Sequence, residues 1–240
     1  MAGSSTKVSN KPVKISKKPV KVSSKILARV FKELESMMAT FPEAVVDAMV
    51  KDKRDPFKVL IATLISLRTK DEVTGKATER LFEFASIPEE MALLDPEVIE
   101  KAIFPAGFYR TKAKTIINAC TVLNEVHEGK VPSTIEELVA IKGVGRKTAN
   151  LVLSSGFGIE AICVDTHVHR ICNRWGYVNT KTADATEMVL RKQLPRSYWI
   201  RINALLVVMG QNICRPISPK CSSCTLKDWF CPALGVGKSR

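Results

Sequence analysis

The sequence contains no uncharged apolar run long enough to cross a membrane, for which about 18 residues are needed. Its N-terminus also lacks the apolar stretch of a secretory signal. Both absences argue against export and against membrane attachment. We therefore expect an intracellular protein, in the cytoplasm or nucleoid, or in the nucleus if the source is eukaryotic.

Signals for β-structure are scarce as well. Few runs alternate between apolar and polar residues, and no Asn-Gly turn separates them. The 240 residues are 45% hydrophobic, which is enough for a globular core. From Ser24 onward the apolar spacing is helical almost everywhere, so the predicted fold class is all-α.

The first predicted helix carries an apolar stripe of Ile26, Val30, Phe31 and Leu34, and Pro42 marks its end. A proline then opens FKVLIATLISL, a segment that is apolar nearly all round and typical of a buried central helix. Further helices are predicted at 71–85, 88–94, 96–103, 110–127, 134–140, 146–155, 168–174, 183–194 and 197–210.

The first 25 residues lack acidic side chains altogether. They hold seven lysines, in a chain whose formal net charge is +13. The prolines of two KPVK repeats forbid a continuous helix, and we interpret residues 1–24 as a flexible basic arm. A basic chain of this kind suits a polyanion such as nucleic acid. A solubilising tail and a mitochondrial presequence are the alternatives for the arm.

Seven cysteines are present, an odd number, and without an export signal this favours metal binding over disulfides. Cys120, Cys163 and Cys172 stand singly among apolar residues and are predicted to be buried. The other four form the pattern C-x6-C-x2-C-x6-C at Cys214, Cys221, Cys224 and Cys231. Four thiolates at this spacing can bind a 4Fe-4S cluster or a zinc ion, and chemically silent thiols are the third alternative.

The segment TIEELVAIKGVGRKTANLVL, which starts at Thr134, predicts two short helices joined by a tight turn. Gly143, Val144 and Gly145 make the turn, because glycine allows positive φ and the close approach of another backbone. The second helix starts near Arg146, and its first N–H groups lack helical partners. We expect this turn and Arg146 to bind a phosphate group; an ordinary helical hairpin is the alternative.

Three motifs occur in a characteristic order: LVAIKGVGRKTANLVL, the segment VDTHVHRICNR that begins at Val164, and the four C-terminal cysteines. This combination resembles the endonuclease III family of helix-hairpin-helix DNA glycosylases. The resemblance extends over about residues 26–231.

The resemblance implies two helical domains with a DNA cleft between them. One is a six-helix barrel, residues 46–159, which contains the hairpin at about 134–155. The other joins residues 25–45 to residues 160–240 and holds the cysteine loop, 214–231.

By the same resemblance, Lys147 is the Schiff-base nucleophile and Asp165 is the catalytic acid/base residue. The helix N-terminus and Arg146 disfavour the charged form of Lys147, and a carboxylate can accept a proton and stabilise positive charge on the sugar. A second phosphate contact is the alternative for Lys147, and an N-cap is the alternative for Asp165. Both alternatives are compatible with catalysis.

The family carries a 4Fe-4S cluster at its four cysteines, here with one more residue in the last gap. The resemblance also implies that the basic loop from Arg215 to Lys220 presses on the DNA backbone. Chemistry on a base inside a duplex requires that the base be flipped out and the gap be filled. In the family two loops supply the filling residues, and they align with SLRTKD and AGFYRTKA.

This alignment places Arg68 and Phe108 at the wedge positions, where many relatives have glutamine instead of Arg68. The alternatives are a phosphate contact for Arg68 and a core position for Phe108.

The resemblance implies a bifunctional glycosylase and lyase that acts as a monomer. Its partner is double-stranded DNA with oxidised pyrimidines of the thymine glycol type or with abasic sites. The rival hypothesis is a non-catalytic DNA-binding module. The presence of both Lys147 and Asp165 favours the enzyme, since a pure binder needs no aspartate there.

Overall fold

The structure, a computed structural model, describes residues 22–51 and 53–240. Within these residues every regular element is helical and no strand is formed. The predicted all-α class is therefore confirmed. Among the described helices, none is both long enough and apolar enough to cross a membrane.

Twelve α-helices occur in the described residues and are numbered in chain order. They are α1 (Ser24–Met38), α2 (Val45–Met49), α3 (Pro56–Ser66), α4 (Asp71–Phe84), α5 (Pro88–Ala92), α6 (Pro96–Ile103), α7 (Tyr109–His127), α8 (Ile135–Ala140), α9 (Arg146–Leu151), α10 (Thr166–Arg174), α11 (Ala183–Gln193) and α12 (Trp199–Asn212). Short 3-10 turns lie at Arg196–Tyr198 and Cys221–Ser223. The sequence pattern predicts each of these α-helices except α2.

Helix α3 is the centre of the larger of two hydrophobic cores. Pro56 occupies its first turn, where a missing N–H costs nothing, and the Asp55 carboxylate accepts a hydrogen bond from the Lys58 N–H at 2.9 Å. Eight of its 11 residues are buried. Helices α2, α4, α7 and α9 pack against it, and the core that they form with their neighbours takes in side chains from Val46 to Cys163. The prediction of a buried central helix is confirmed.

The second core joins α1 to the C-terminal helices. Its buried side chains lie within residues 27–38 and 162–226. Helix α12 packs against both α1 and α10, and α10 packs against α11. The predicted domain bounds, 46–159 for one domain and 25–45 with 160–240 for the other, stay a prediction that the two separate cores support.

The buried face of α1 differs from the predicted stripe at one position. Leu27 is 4% exposed and lies in the second core, whereas Ile26, which the pattern predicts to be buried, is 42% exposed. The reason is that Leu27 precedes Val30, Phe31 and Leu34 by three, four and seven residues, which is the centre of a helical face. Ile26 lies at the edge of that face.

The predicted basic arm, residues 1–24, lies outside the described residues as far as residue 21. Its last residue, Ser24, is the first residue of α1. Ser23 is the N-cap of this helix, and its hydroxyl accepts a hydrogen bond from the Ile26 N–H at 3.4 Å.

The second helix of the hairpin is not α-helical throughout. Helix α9 ends at Leu151, and a π-helical turn, Val152–Phe157, follows it and packs against α3. A π-turn closes wider rings than an α-turn, so it displaces the residues that follow. The predicted helix over 146–155 is therefore correct in position but not in type. Its apolar residues fit either helix type, and the sequence pattern gives no sign of the change.

Leu27→Ala is expected to lower the free energy of unfolding by about 2–5 kcal/mol, because it leaves a cavity in the second core. Ile26→Ala should lower it by less than about 1 kcal/mol, since that side chain is partly in solvent. Urea unfolding followed by circular dichroism compares the two variants. Equal effects would contradict the burial of Leu27 in place of Ile26.

Candidate active site

A cavity of about 670 Å³ lies where side chains from the two cores face each other. Lys147 lines it from the first turn of α9, and Asp165 lines it from the residue before α10. The wall also includes Asp47, Ser66, Arg68, Lys70, Asp71, Glu72, His167, Asn203 and Gln211. The two residues that the sequence singles out for catalysis therefore share one cavity.

The helix-hairpin-helix segment positions Lys147. Thr134 caps α8: its hydroxyl oxygen accepts a hydrogen bond from the Glu137 N–H at 3.3 Å, and its hydroxyl donates to the Glu137 carboxylate. Gly143 has a φ of +96°, and a side chain there would collide with Thr115. The turn therefore requires glycine at this position, as predicted.

The N-terminus of α9 has no side-chain cap. Gly145 is its N-cap residue, and no atom lies within 4 Å of the point where a Cβ would stand. The approach to the first N–H groups of the helix is therefore open.

Val144 differs from the expectation that it contacts DNA. Its side chain is 4% exposed and lies in the larger core, and its N–H donates to the Ile141 carbonyl at 2.9 Å. Neither group is available to a phosphate. Val144 instead anchors the turn to the core.

Helix α9 is fixed from its buried side. Thr148 and Ala149 are buried, and the carbonyl oxygen of Lys147 accepts a hydrogen bond from the Cys163 thiol at 3.6 Å. Lys147 itself is half-buried, and its side chain lines the cavity. The backbone of the lysine is thus held by the core while its amine is left to the cavity.

Asp165 is 8% exposed and is the N-cap residue of α10. Its Oδ1 accepts hydrogen bonds from the N–H groups of His167 and Val168, both at 2.9 Å. From the described residues, no hydrogen bond reaches its Oδ2. The N-cap role is present, and it leaves one carboxylate oxygen for a ligand in the cavity.

The cavity wall is rich in carboxylates. The hydroxyl of Ser155 donates to Oδ1 of Asp47 at 2.6 Å. Burial raises the pKa of Asp47; the Ser155 hydrogen bond opposes the rise, and the negative charges of Glu43 and Asp71 add to it. Gln211 donates to Asp71 at 3.0 Å and so links α12 to α4. Arg68, Lys70 and Lys147 line the same cavity, so the carboxylates of the wall are nearly balanced by positive charge.

His167 lines the same cavity. Its Nδ1 lies 3.1 Å from an Nη of Arg170. Burial lowers the pKa of His167; the negative charge of Asp165 opposes this, and the positive charges of Arg170 and Lys147 add to the lowering. The neutral imidazole is therefore the favoured form beside Lys147.

Arg68 and Phe108 lie in the loops before α4 and α7, each in a left-handed backbone conformation with φ of +55° and +60°. Phe108 is 62% exposed, so the alternative of a core position is wrong. The Arg68 guanidinium lies over the Phe108 ring, 5.4 Å from its centroid. The structure brings the two predicted wedge residues into contact, and Arg68 also lines the cavity.

Lys112, on α7, connects these two loops through hydrogen bonds. Its buried ammonium donates to the Ile65 carbonyl at 2.6 Å and to the Thr69 hydroxyl at 2.7 Å. The Gly107 N–H donates to the same hydroxyl oxygen at 3.1 Å. Burial lowers the pKa of Lys112 to about 8. Through these bonds the two loops form a single unit.

The four C-terminal cysteines line one further cavity beside α10 and α12, together with apolar side chains such as Met209, Ile213 and Val236. Arg174 donates to the Cys214 sulfur at 3.3 Å. In residues 22–51 and 53–240, no group of three or more His, Cys, Asp or Glu side chains is placed to hold a single metal ion. Four thiols around one apolar cavity, with a guanidinium donor to a sulfur, fit an iron–sulfur cluster.

The loop between the first two of these cysteines is shaped by backbone contacts. Arg174 donates to the carbonyls of Arg215 and Pro216 at 2.7 and 2.8 Å. Arg215 is exposed and donates to the Gln211 carbonyl at 3.1 Å, and Lys220 borders the cysteine cavity. Arg215 thus presents its guanidinium at the surface.

The three single cysteines, Cys120, Cys163 and Cys172, are buried as predicted. Burial raises the pKa of the Cys120 thiol to about 12, and it raises the pKa values of the other two further. A thiol that keeps its proton is neither a nucleophile nor a metal ligand.

Several residues of the cavity were not predicted. His167 and Asp71 belong to the motifs VDTHVHRICNR and SLRTKD. Their closeness in sequence to Asp165 and Arg68 could have predicted them. Asp47 had none, because it lies on a five-residue helix far from the hairpin in the chain.

Comparison with known proteins gives a consistent family. The family described as HhH-GPD superfamily base excision DNA repair protein matches residues 61–196. Endonuclease III of Thermotoga maritima is 48% identical over 174 residues, which are 72% of this chain and 82% of that protein. Endonuclease III-like protein 1 of Mus musculus is 40% identical over 190 residues, which are 78% of this chain and 63% of that longer protein.

Two solved structures share the fold over most of the chain. A non-covalent endonuclease III–DNA complex has a TM-score of 0.77 and 32% identity, and the match covers 88% of this chain and 96% of that one. A trapped endonuclease III–DNA covalent intermediate has a TM-score of 0.70 and 34% identity, with 83% and 92% covered. The chain therefore belongs to the endonuclease III family, within the HhH-GPD superfamily of base excision DNA repair proteins.

Proposed function

We propose that this chain is a bifunctional DNA glycosylase and abasic-site lyase of base excision repair. The observation that carries the proposal is that Lys147 and Asp165 line one cavity. A related solved structure is a trapped endonuclease III–DNA covalent intermediate, which supports covalent chemistry on a DNA substrate. Both walls of the cavity come from a single chain, so a monomer suffices.

Lys147 acts as the nucleophile once its amine is unprotonated. It attacks C1′ of the damaged nucleotide, and the bond from C1′ to the base breaks. The base leaves with the electron pair of that bond and takes up a proton. Opening of the sugar ring gives an imine between Lys147 and C1′. The imine acidifies C2′, loss of that proton expels the 3′ phosphate, and water then releases the amine.

Asp165 supports this sequence through its carboxylate. Oδ1 is held by two backbone N–H groups, so Oδ2 has a defined direction. In a site of low dielectric, this oxygen stabilises positive charge on the sugar more strongly than water does, and it can accept a proton from the Lys147 ammonium. A neutral His167 adds no positive charge that would oppose it.

We propose oxidised pyrimidines of the thymine glycol type, together with abasic sites, as the substrates. A nucleotide that reacts at C1′ has to leave the base stack, and the cavity that Lys147 and Asp165 line is the place for it. Asp47 and Asp71 offer hydrogen-bonding groups to the edge of such a base. Arg68 and Phe108 would fill the gap that the flipped nucleotide leaves.

The DNA backbone would be held outside the cavity. The open N-terminus of α9 offers its first N–H groups, from Gly145 onward, to a phosphate, and the Arg146 side chain is 41% exposed beside them. Arg215 and Lys220 offer a second basic contact.

Cys214, Cys221, Cys224 and Cys231 would hold a 4Fe-4S cluster. Bound there, the cluster would cross-link the loop from Arg215 to Lys220 to the second core and keep its shape. Arg174 would donate a hydrogen bond to one of the ligating sulfurs, as it does to the Cys214 thiol.

A non-catalytic DNA-binding module is the rival function. A module that only binds a polyanion gains nothing from carboxylates that face its ligand. Asp47, Asp71 and Asp165 in one cavity therefore favour the enzyme.

Lys147→Gln is expected to abolish covalent trapping by borohydride on a thymine glycol duplex, because an amide cannot form the imine. Its Kd for the same duplex should stay within a few-fold of the wild type. Gel separation of the adduct and fluorescence anisotropy measure the two quantities. Lys142→Gln is the matched control, since it removes one charge from the same hairpin outside the cavity and should trap normally.

Two results would count against this assignment. If the wild type binds the duplex and forms no adduct, the DNA-binding module is correct. If Lys147→Gln loses affinity as much as trapping, Lys147 is a phosphate contact.

Asp165→Asn is expected to slow single-turnover base excision by about 100-fold or more, because the charge is lost. Its thermal stability should change little, since asparagine is a good N-cap. Asp165→Ala should show the same rate loss and in addition a loss of about 0.5–2 kcal/mol in the free energy of unfolding. An Asp165→Asn variant with the wild-type rate would leave Asp165 with the capping role alone.

Elemental analysis of the purified protein should find about four iron and four sulfide per chain. Cys224→Ser should lower the iron content, and Cys120→Ser, in the larger core, should leave it unchanged. One zinc ion per chain in place of iron would contradict the cluster, and the absence of both would leave the thiols without a metal.

A further inference from the structure

Helices α9 and α11, which belong to different cores, are joined by four polar side chains that we call the α9–α11 link. Arg146 and Asn150 contribute from α9, and Glu187 and Arg191 contribute from α11. Each pair is four residues apart, so its members lie on one face of their helix. Glu187 accepts hydrogen bonds from Arg146 at 2.7 and 3.2 Å and from Arg191 at 2.8 Å. Arg191 donates to the Asn150 side-chain oxygen at 3.0 Å.

Glu187 is the centre of this link, with a side chain that is 3% exposed. Burial raises the pKa of its carboxyl, but the hydrogen bonds from Arg146 and Arg191 lower the pKa more, so that it lies below its usual range. A buried ion pair of this kind is weak evidence for stability, because two apolar side chains often serve as well. Its retention indicates a role in fixing geometry.

The first turn of α9 needs such support. The helix has six residues before the π-helical turn, and its N-cap residue, Gly145, makes no side-chain cap. Arg146 is the first residue of this helix and Lys147 is the second. Successive helical side chains point about 100° apart. A contact that holds Arg146 against α11 therefore also fixes the direction of Lys147.

Helix α11, which carries Glu187 and Arg191, is also connected to Asp165. Helix α11 packs against α10, and Asp165 is the N-cap residue of α10. We propose that Glu187 is a positioning residue, which holds the first turn of α9 against α11 and so sets the amine of Lys147 opposite the carboxylate of Asp165. This inference rests on the proposed function. Glu187 itself touches neither the substrate nor the reacting atoms.

The test uses a duplex with a preformed abasic site, so that base recognition and base release do not contribute. Glu187→Gln keeps the size of the side chain and removes its charge. Under single-turnover conditions its rate of borohydride trapping should fall by about tenfold or more, since small displacements of a reacting group have effects of this size. Its Kd for the same duplex should stay within about threefold.

Asp184→Asn is the matched control. It makes the same change of charge on the same helix, but Asp184 is exposed and acts on Arg146 through its charge, whereas Glu187 accepts the hydrogen bonds. This variant should trap at the wild-type rate. A rate loss equal to that of Glu187→Gln would assign the effect to general electrostatics and overturn the proposal.

Arg146→Met breaks the same contact from the side of α9, and it carries the test if Glu187→Gln does not fold. At saturating protein its trapping rate should fall by a similar factor. The double variant should be no slower than the slower single variant, because both changes remove one contact. Rate losses that multiply would show that the two side chains act separately.

Three further outcomes are decisive. Trapping by Glu187→Gln at the wild-type rate would refute the positioning role and leave the proposed function intact. Loss of rate and affinity in the same proportion as the loss of folded protein would reduce Glu187 to a structural residue. Absence of trapping in the wild type would refute the proposed function and, with it, this inference.

Discussion

The placement of α9 relative to α10 is the constraint on which the site depends. Lys147 is carried by a helix of the larger core, and Asp165 is fixed at the start of a helix of the second core. Each is held locally with little freedom, the lysine backbone by the buried side chains next to it and the aspartate by two backbone N–H groups. Their separation is then a property of how the two cores meet. Glu187 and Gln211 span this boundary through hydrogen bonds and so contribute to that separation.

Charge is sorted between the surface and the cavity. The chain has a formal net charge of +13, yet Asp47, Asp71 and Asp165 face the cavity. A basic chain attracts a polyanion over a distance. Inside the cavity the carboxylates meet Arg68, Lys70 and Lys147, so the two signs of charge are nearly balanced there.

Features that depend on neighbouring residues were predictable from the sequence. The capping box of α8, the glycine turn at Gly143 and the cap at Asp165 each follow from a few adjacent residues and obligatory backbone hydrogen bonding. The buried helix α3 was predictable for a similar reason, because its apolar run allows no exposed face.

Features that depend on distant parts of the chain were not predictable. Asp47, Lys112 and Glu187 look like ordinary surface charges in the sequence, and only packing shows that each is enclosed and bonded across elements. The exposure of Ile26 has the same origin. Only the helices packed against α1 decide whether Ile26 or Leu27 is buried. Val144 was predicted to contact DNA because its burial depends on distant residues and is not visible in the sequence.

The burial of Cys120, Cys163 and Cys172 affects how the protein resists oxidation. Oxidants attack the thiolate rather than the thiol, and enclosure keeps these three sulfurs protonated and out of reach of peroxide. The Cys163 thiol contacts the carbonyl oxygen of Lys147. Oxidation of Cys163 to a sulfinic acid would therefore bury a negative charge against the backbone of α9. A repair protein is needed most when such oxidants are abundant. Here the Cys163 sulfur is shielded from them by the same packing that holds the backbone of Lys147 in place.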